Sequence, residues 1–116
     1  MARESIAIDA SNSEQASRLS FDQSVETLSA NRTISNSELE QFNGFAFDPA
    51  GARDLTLPAE AQANGAILFI SNEANAAEII TIKNDGGTTI CTPTQNEAAI
   101  LWCDGTNWYG GVVTTS

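Results

Sequence analysis

The apolar residues of this 116-residue chain fall into short runs divided by turn-forming residues, and the sharpest lie between positions 65 and 113. Four runs are Gly65-Ala66-Ile67-Leu68-Phe69-Ile70, Ile79-Ile80-Thr81-Ile82, Thr88-Thr89-Ile90-Cys91-Thr92 and Ala98-Ala99-Ile100-Leu101-Trp102-Cys103. A fifth, Asn107-Trp108-Tyr109-Gly110-Gly111-Val112-Val113, closes the unit. Asn84-Asp85-Gly86-Gly87 separates the second run from the third, and Asp104-Gly105-Thr106 separates the fourth from the fifth. Asn, Asp and Gly tolerate the positive φ that tight β-turns require, so both stretches predict hairpins and this half reads as an antiparallel β-unit.

Side chains alternate across a strand, which lets the faces be assigned. Ile80 and Ile82 share one face and Thr81 and Lys83 the other, the pattern of a half-buried strand. In 66–70 both faces are apolar, Ile67 and Phe69 on one and Leu68 and Ile70 on the other. Such a strand needs cover on both sides, from the N-terminal strands or from another subunit.

The first half carries weaker signals. Residues 1–20 alternate briefly at Ile6 and Ile8 and then lose any apolar period, which predicts an N-terminal arm, with a helix over 13–19 as the alternative. Phe21, Val25 and Leu28 have helical spacing, yet Phe21, Gln23, Val25 and Thr27 alternate, and the Thr, Val and Ser content favours a strand. Residues 32–35 predict another strand. Ser37 and Glu40 then have the spacing of a capping box, which predicts one helical turn ending before Gly44. Residues 45–48 read as extended, 49–51 as a turn, and 54–57 as a strand ended by Pro58, which has no N–H for a ladder. About nine short strands with turn signals at intervals of about eight to twelve residues predict an all-β sandwich or barrel. The chain divides into the arm, 1–20, and one β-domain, 21–116.

Fifteen acidic side chains against five basic ones give a formal charge of −10. The excess is spread evenly: nine acids and four bases in 1–58, six and one in 59–116. A surface of that sign repels phosphate backbones and argues against nucleic-acid binding; its plain role is solubility. No segment approaches the ~20 apolar residues of a membrane span, and the residues after Met1 lead into no signal-peptide core, so synthesis in the cytosol is expected. With no histidine, the usual general base, zinc ligand and nucleophile partner are missing. No phosphate-binding loop occurs, Asp85 and Asp104 sit in turns without cation-loop spacing, and no carboxylate pair stands out. The chain therefore reads as a non-enzyme with no cofactor or metal. Cys91 and Cys103 lie in strand-like runs and read as buried thiols, with a disulfide left open. Trp102, Trp108 and Tyr109 offer a stacking platform for a sugar ring, against the plainer reading that Trp108 closes the core and Tyr109 points outward.

One ordered series of residues resembles a known class. Asp54-Leu55-Thr56-Leu57-Pro58-Ala59, then 65–70, then Ile80-Thr81-Ile82-Lys83-Asn84-Asp85-Gly86, then Leu101-Trp102-Cys103-Asp104-Gly105-Thr106-Asn107-Trp108-Tyr109 resembles small β-rich virion modules of tailed bacteriophages. These are tail-fibre segments and capsid decoration, or cement, proteins. The resemblance covers about residues 50–113; Cys91 and Cys103 stand where plain core residues such as Val or Ile are expected. It implies a homotrimer, and the short chain favours a decoration protein on the outer capsid surface, bound to the major capsid protein. The domain would be an antiparallel β-sandwich, jelly-roll-like or barrel-like, with Ile67, Leu68, Phe69, Ile70 and Trp108 as core or trimer residues. The arm would grip the capsid through Ile6, Ile8 and Leu19, which order on binding. The alternative is a tail-fibre or tail-tip carbohydrate-binding module using Trp102, Trp108 or Tyr109.

Overall fold

The computed structural model describes residues 20–114. The arm anchors Ile6, Ile8 and Leu19 lie outside the described residues, which form nine strands and one short helix. In chain order these are β1 (Phe21–Leu28), β2 (Arg32–Thr33), α1 (Asn36–Gln41), β3 (Gly44–Pro49), β4 (Arg53–Thr56), β5 (Ile67–Asn72), β6 (Ile80–Lys83), β7 (Thr89–Cys91), β8 (Glu97–Cys103) and β9 (Trp108–Thr114).

Successive strands up to β6 alternate between two sheets. One sheet has the order β1-β3-β5-β8-β9 and the other β2-β4-β6-β7. β1, β3 and β5 run parallel to one another, as do β2, β4 and β6. The first 60 or so described residues thus wind as stacked coils, each giving one strand to each sheet, in the manner of a short solenoid. Partners sit one coil apart: Phe21 beside Gly44, Gly44 beside Phe69, Arg32 beside Leu55. The winding then stops. β7 folds back on β6 through the 84–87 turn, and β8 and β9 add antiparallel strands to β5.

Both expected hairpins form, and the second is held by Asp104, whose Oδ1 accepts from the Thr106 and Asn107 N–H groups. The expectation of an antiparallel architecture is corrected: both sheets are mixed, and neither closes into a barrel. Alternation along a strand is the same in parallel and antiparallel sheets, so the pattern does not reveal the partner. The connections 29–31 and 50–52 are hairpin-short, yet each is a corner that passes the chain to the other sheet.

Polar side chains tie the coils at these corners. Arg53 Nε donates to the Leu28 carbonyl and its Nη2 to that of Ala50. Asn43 accepts from the Ser20 N–H and donates to the Ile67 carbonyl, spanning three coils. Asn72, 1% exposed, donates to the Glu78 and Pro93 carbonyls and accepts from the Ala74 N–H, fixing the connection between β5 and β6. Leaving such buried groups unpaired is costly, so these bonds specify the path of the loops.

The inner faces of the two sheets share one core. Leu28, Phe47, Leu68, Ile70, Ala99 and Leu101 come from the five-stranded sheet, and Leu55, Ile80 and Ile82 from the other. Trp108 closes it, with its indole N–H donating to the Pro58 carbonyl at 2.9 Å. α1 lies at one side, Leu39 and the following Phe42 packing on the core.

Candidate interaction surface

The outer face of the five-stranded sheet is the most unusual surface of the domain. Strand registers arrange its side chains in rows that cross the strands. One row is Ile67, Trp102 and Tyr109; the next is Phe21, Gly44, Phe69, Ile100 and Gly111; a third is Val25, Ala46, Ser71, Ala98 and Val113. None of these thirteen side chains is charged. Asp48, two residues beyond Ala46 on β3, marks the end of the apolar zone, and Asp22 and Glu73 stand at its margin.

The second row forms a ridge. Gly44 permits it, because a Cβ at that position would lie 1.8 Å from Phe21 Cδ2; the ring instead occupies the space over the glycine. Phe21 then packs against Phe69 with ring centroids 5.7 Å apart and ring planes tilted by 33°. The third row, with Ala46, Ser71 and Ala98 at its centre, is a trough. Together they enclose a groove of about 560 Å³ lined by Phe21, Val25, Phe69, Ala98, Ile100 and Val113 among others. Ile67, Ile100, Trp102, Tyr109 and Val113 are all exposed, so no described element covers this part of the face. Contiguous apolar surface of this kind makes the face a candidate interaction site.

The aromatic trio divides. Trp108 is 4% exposed and belongs to the core, which removes it from any stacking platform. Trp102 and Tyr109, 49% and 43% exposed, are cross-strand neighbours on the outer face, with ring centroids 5.9 Å apart. Asn107 Nδ2 reaches the Tyr109 hydroxyl at 3.4 Å. The 66–70 run divides by parity: Leu68 and Ile70 are fully buried, Ile67 is exposed and Phe69 half-buried. Its second apolar face therefore lies on the outer surface of the sheet. The trough residues Val25, Ala46, Ser71, Ala98 and Val113 were not visible as a group, because they meet only through pairings of distant strands. The signal available was β8, where Ala98, Ile100 and Trp102 make a second doubly apolar strand.

Elsewhere Glu78 Oε1 is buried without a hydrogen-bond partner, and the other polar groups described below have structural roles. Arg32 forks between Glu26 and Glu38 at 2.7 Å each and lies over the Phe47 ring. The two carboxylates hold its guanidinium well above the usual value, while Arg32 holds the Glu38 carboxyl below its own. Cys91 and Cys103 are free thiols, and burial pushes both upward, away from reactive thiolate. Among the described residues no group of three or more His, Cys, Asp or Glu could hold a metal ion, and no helix is long and apolar enough to cross a membrane. Comparison of the chain with known protein families, with curated proteins and with solved structures finds no match.

Proposed function

We propose that this chain is a non-enzymatic structural protein that acts by assembly and, following its sequence resemblance, a capsid decoration protein of a tailed bacteriophage. In this reading a homotrimer sits on the outer head surface and bridges neighbouring copies of the major capsid protein. The observation that carries the assembly role is the uncharged outer face of the five-stranded sheet in a chain of net charge −10. Two sheets over one core, a sandwich-type knob, suit a protein that needs only a rigid body and a contact surface. A protein that binds only the assembled shell stabilises that shell by mass action, and attachment through several arms multiplies the effect. The arm residues Ile6, Ile8 and Leu19 are the proposed capsid grip.

The test is the position of the protein in purified particles, by labelling or density. Copies on the head are expected, and deletion of residues 1–20 should leave a folded domain that no longer attaches. Copies on the tail alone would overturn the decoration role, and attachment without residues 1–20 would overturn the role of the arm.

The exposed Trp102–Tyr109 pair favours a second reading, a carbohydrate-binding module, since adjacent aromatic faces offer flat apolar area to a sugar ring. On that reading Trp102→Ala removes glycan or cell binding on an array while the circular dichroism spectrum stays unchanged. Binding that survives both Trp102→Ala and Tyr109→Ala would exclude it.

A further inference from the structure

We infer that the outer face of the five-stranded sheet is the contact between copies of this chain, with the ridge of one copy seated in the trough of the next. Ridge and trough lie side by side, two residues or about 7 Å apart along the strands, and both run across the sheet. A second copy facing the first with strands reversed sets Phe69 and Ile100 over Ala46, Ser71 and Ala98. The same operation returns the partner's ridge to the first copy's trough. Large side chains meet small ones in both directions, which is the self-complementarity that symmetric association requires.

Charge selects the occupant. Two chains of charge −10 repel over most of their surfaces, and this face brings three uncharged rows to the contact. Acidic groups begin only at the margin, with Asp22, Asp48 and Glu73. Strand reversal keeps each strand over its own counterpart, so Ile67 lies over Glu73 and Trp102, one strand or about 4.8 Å to the side, can turn its indole N–H to that carboxylate. Without that donor Glu73 would face apolar surface. Size agrees as well. Five strands at about 4.8 Å spacing and about seven residues of length make a flat footprint of roughly 500 Å², and more once corrugated. That approaches the ~800 Å² each partner gives to a standard interface.

The inference rests on the assembly reading but not on any particular particle, so it is tested on the isolated protein. Light scattering of the full chain at micromolar concentration should give twice its 12.3 kDa mass. Two copies would support this contact and contradict the trimer of the proposed function; three would support that trimer and overturn this contact. Ile100→Glu, on the ridge, and Val113→Glu, at the edge of the trough on β9, should each raise the dissociation constant roughly a hundredfold or more and give single chains. Their β-sheet circular dichroism should be unchanged; Val113 lies on an edge strand and decides the matter if Ile100→Glu fails to fold. A single-chain mass for the unaltered protein, or oligomers that persist in folded Val113→Glu and Ile100→Glu, would overturn the inference. If the unaltered protein is a single chain and removal of residues 1–19 then increases binding of a hydrophobic dye, the chain's own first segment is the occupant instead.

Discussion

Asn72 is the one buried polar side chain among the described core residues, and its three hydrogen bonds join β5, the Glu78 carbonyl and the Pro93 carbonyl. Asn72→Ala leaves the Glu78 carbonyl and the Ala74 N–H without the amide, each costing about 1 kcal/mol or more when unpaired, while the Pro93 carbonyl keeps the Ile80 N–H. Thermal unfolding should show a loss of about 2–4 kcal/mol, a fall in Tm of roughly 10 °C or more. A change under about 0.5 kcal/mol would mean that water replaces the amide there. Nothing about Asn72 in the sequence marks it, because its partners lie six and 21 residues away and only the fold assembles them. Trp108 was more legible: it follows the Asp104 turn and opens the last strand, so parity sends it inward and Tyr109 outward.

Among the elements, α1 shows how two equally good local signals are resolved. Ser35 with Glu38 and Ser37 with Glu40 both have capping-box spacing, and the second pair is the one expected from the sequence. The structure uses the first: Ser35 Oγ accepts from the Glu38 N–H and Glu38 Oε1 accepts from the Ser35 N–H. Arg32 decides it, because its guanidinium reaches both carboxylate oxygens of Glu38 while holding Glu26. The pH dependence follows. Glu38 binds its proton less tightly in the folded protein than in the unfolded chain, first through Arg32 and, among smaller causes, through the Ser35 N–H. Its contribution is therefore complete above the ordinary glutamate value of about 4.3 and is lost as pH falls through the lower folded value. Glu38→Gln should remove that part of the acid-induced loss of stability, measured by urea unfolding between about pH 2 and pH 7. At neutral pH it should cost at most about 1 kcal/mol, because the pair is partly exposed. An acid limb identical to that of the unaltered protein would contradict this assignment.

The strands show the same division between local and distant information. The hairpins at 84–87 and 104–106 were readable because turn chemistry lies in adjacent residues. The coils were not readable, because Phe21 and Gly44, or Gly44 and Phe69, are separated by more than 20 residues and share no sequence mark. For the same reason the doubly apolar β5 was visible as a strand in need of cover. The other parts of its outer surface, the ridge from β1 to β8 and the trough beside it, needed the strand order.

At the scale of the whole molecule, two properties oppose each other. A charge of −10 keeps copies apart, and one uncharged sheet face offers them a place to meet. An apolar face on a strongly acidic body restricts association to one geometry, because every other approach brings like charges together. The capsid and carbohydrate readings differ on what lies outside the assembly, and they share the question of whether this face is covered. Sedimentation velocity over a dilution series of the full chain answers it most directly. A pair of chains at high concentration should give way to single chains on dilution, with single chains throughout for Val113→Glu. A single chain at every concentration for the unaltered protein would overturn the contact.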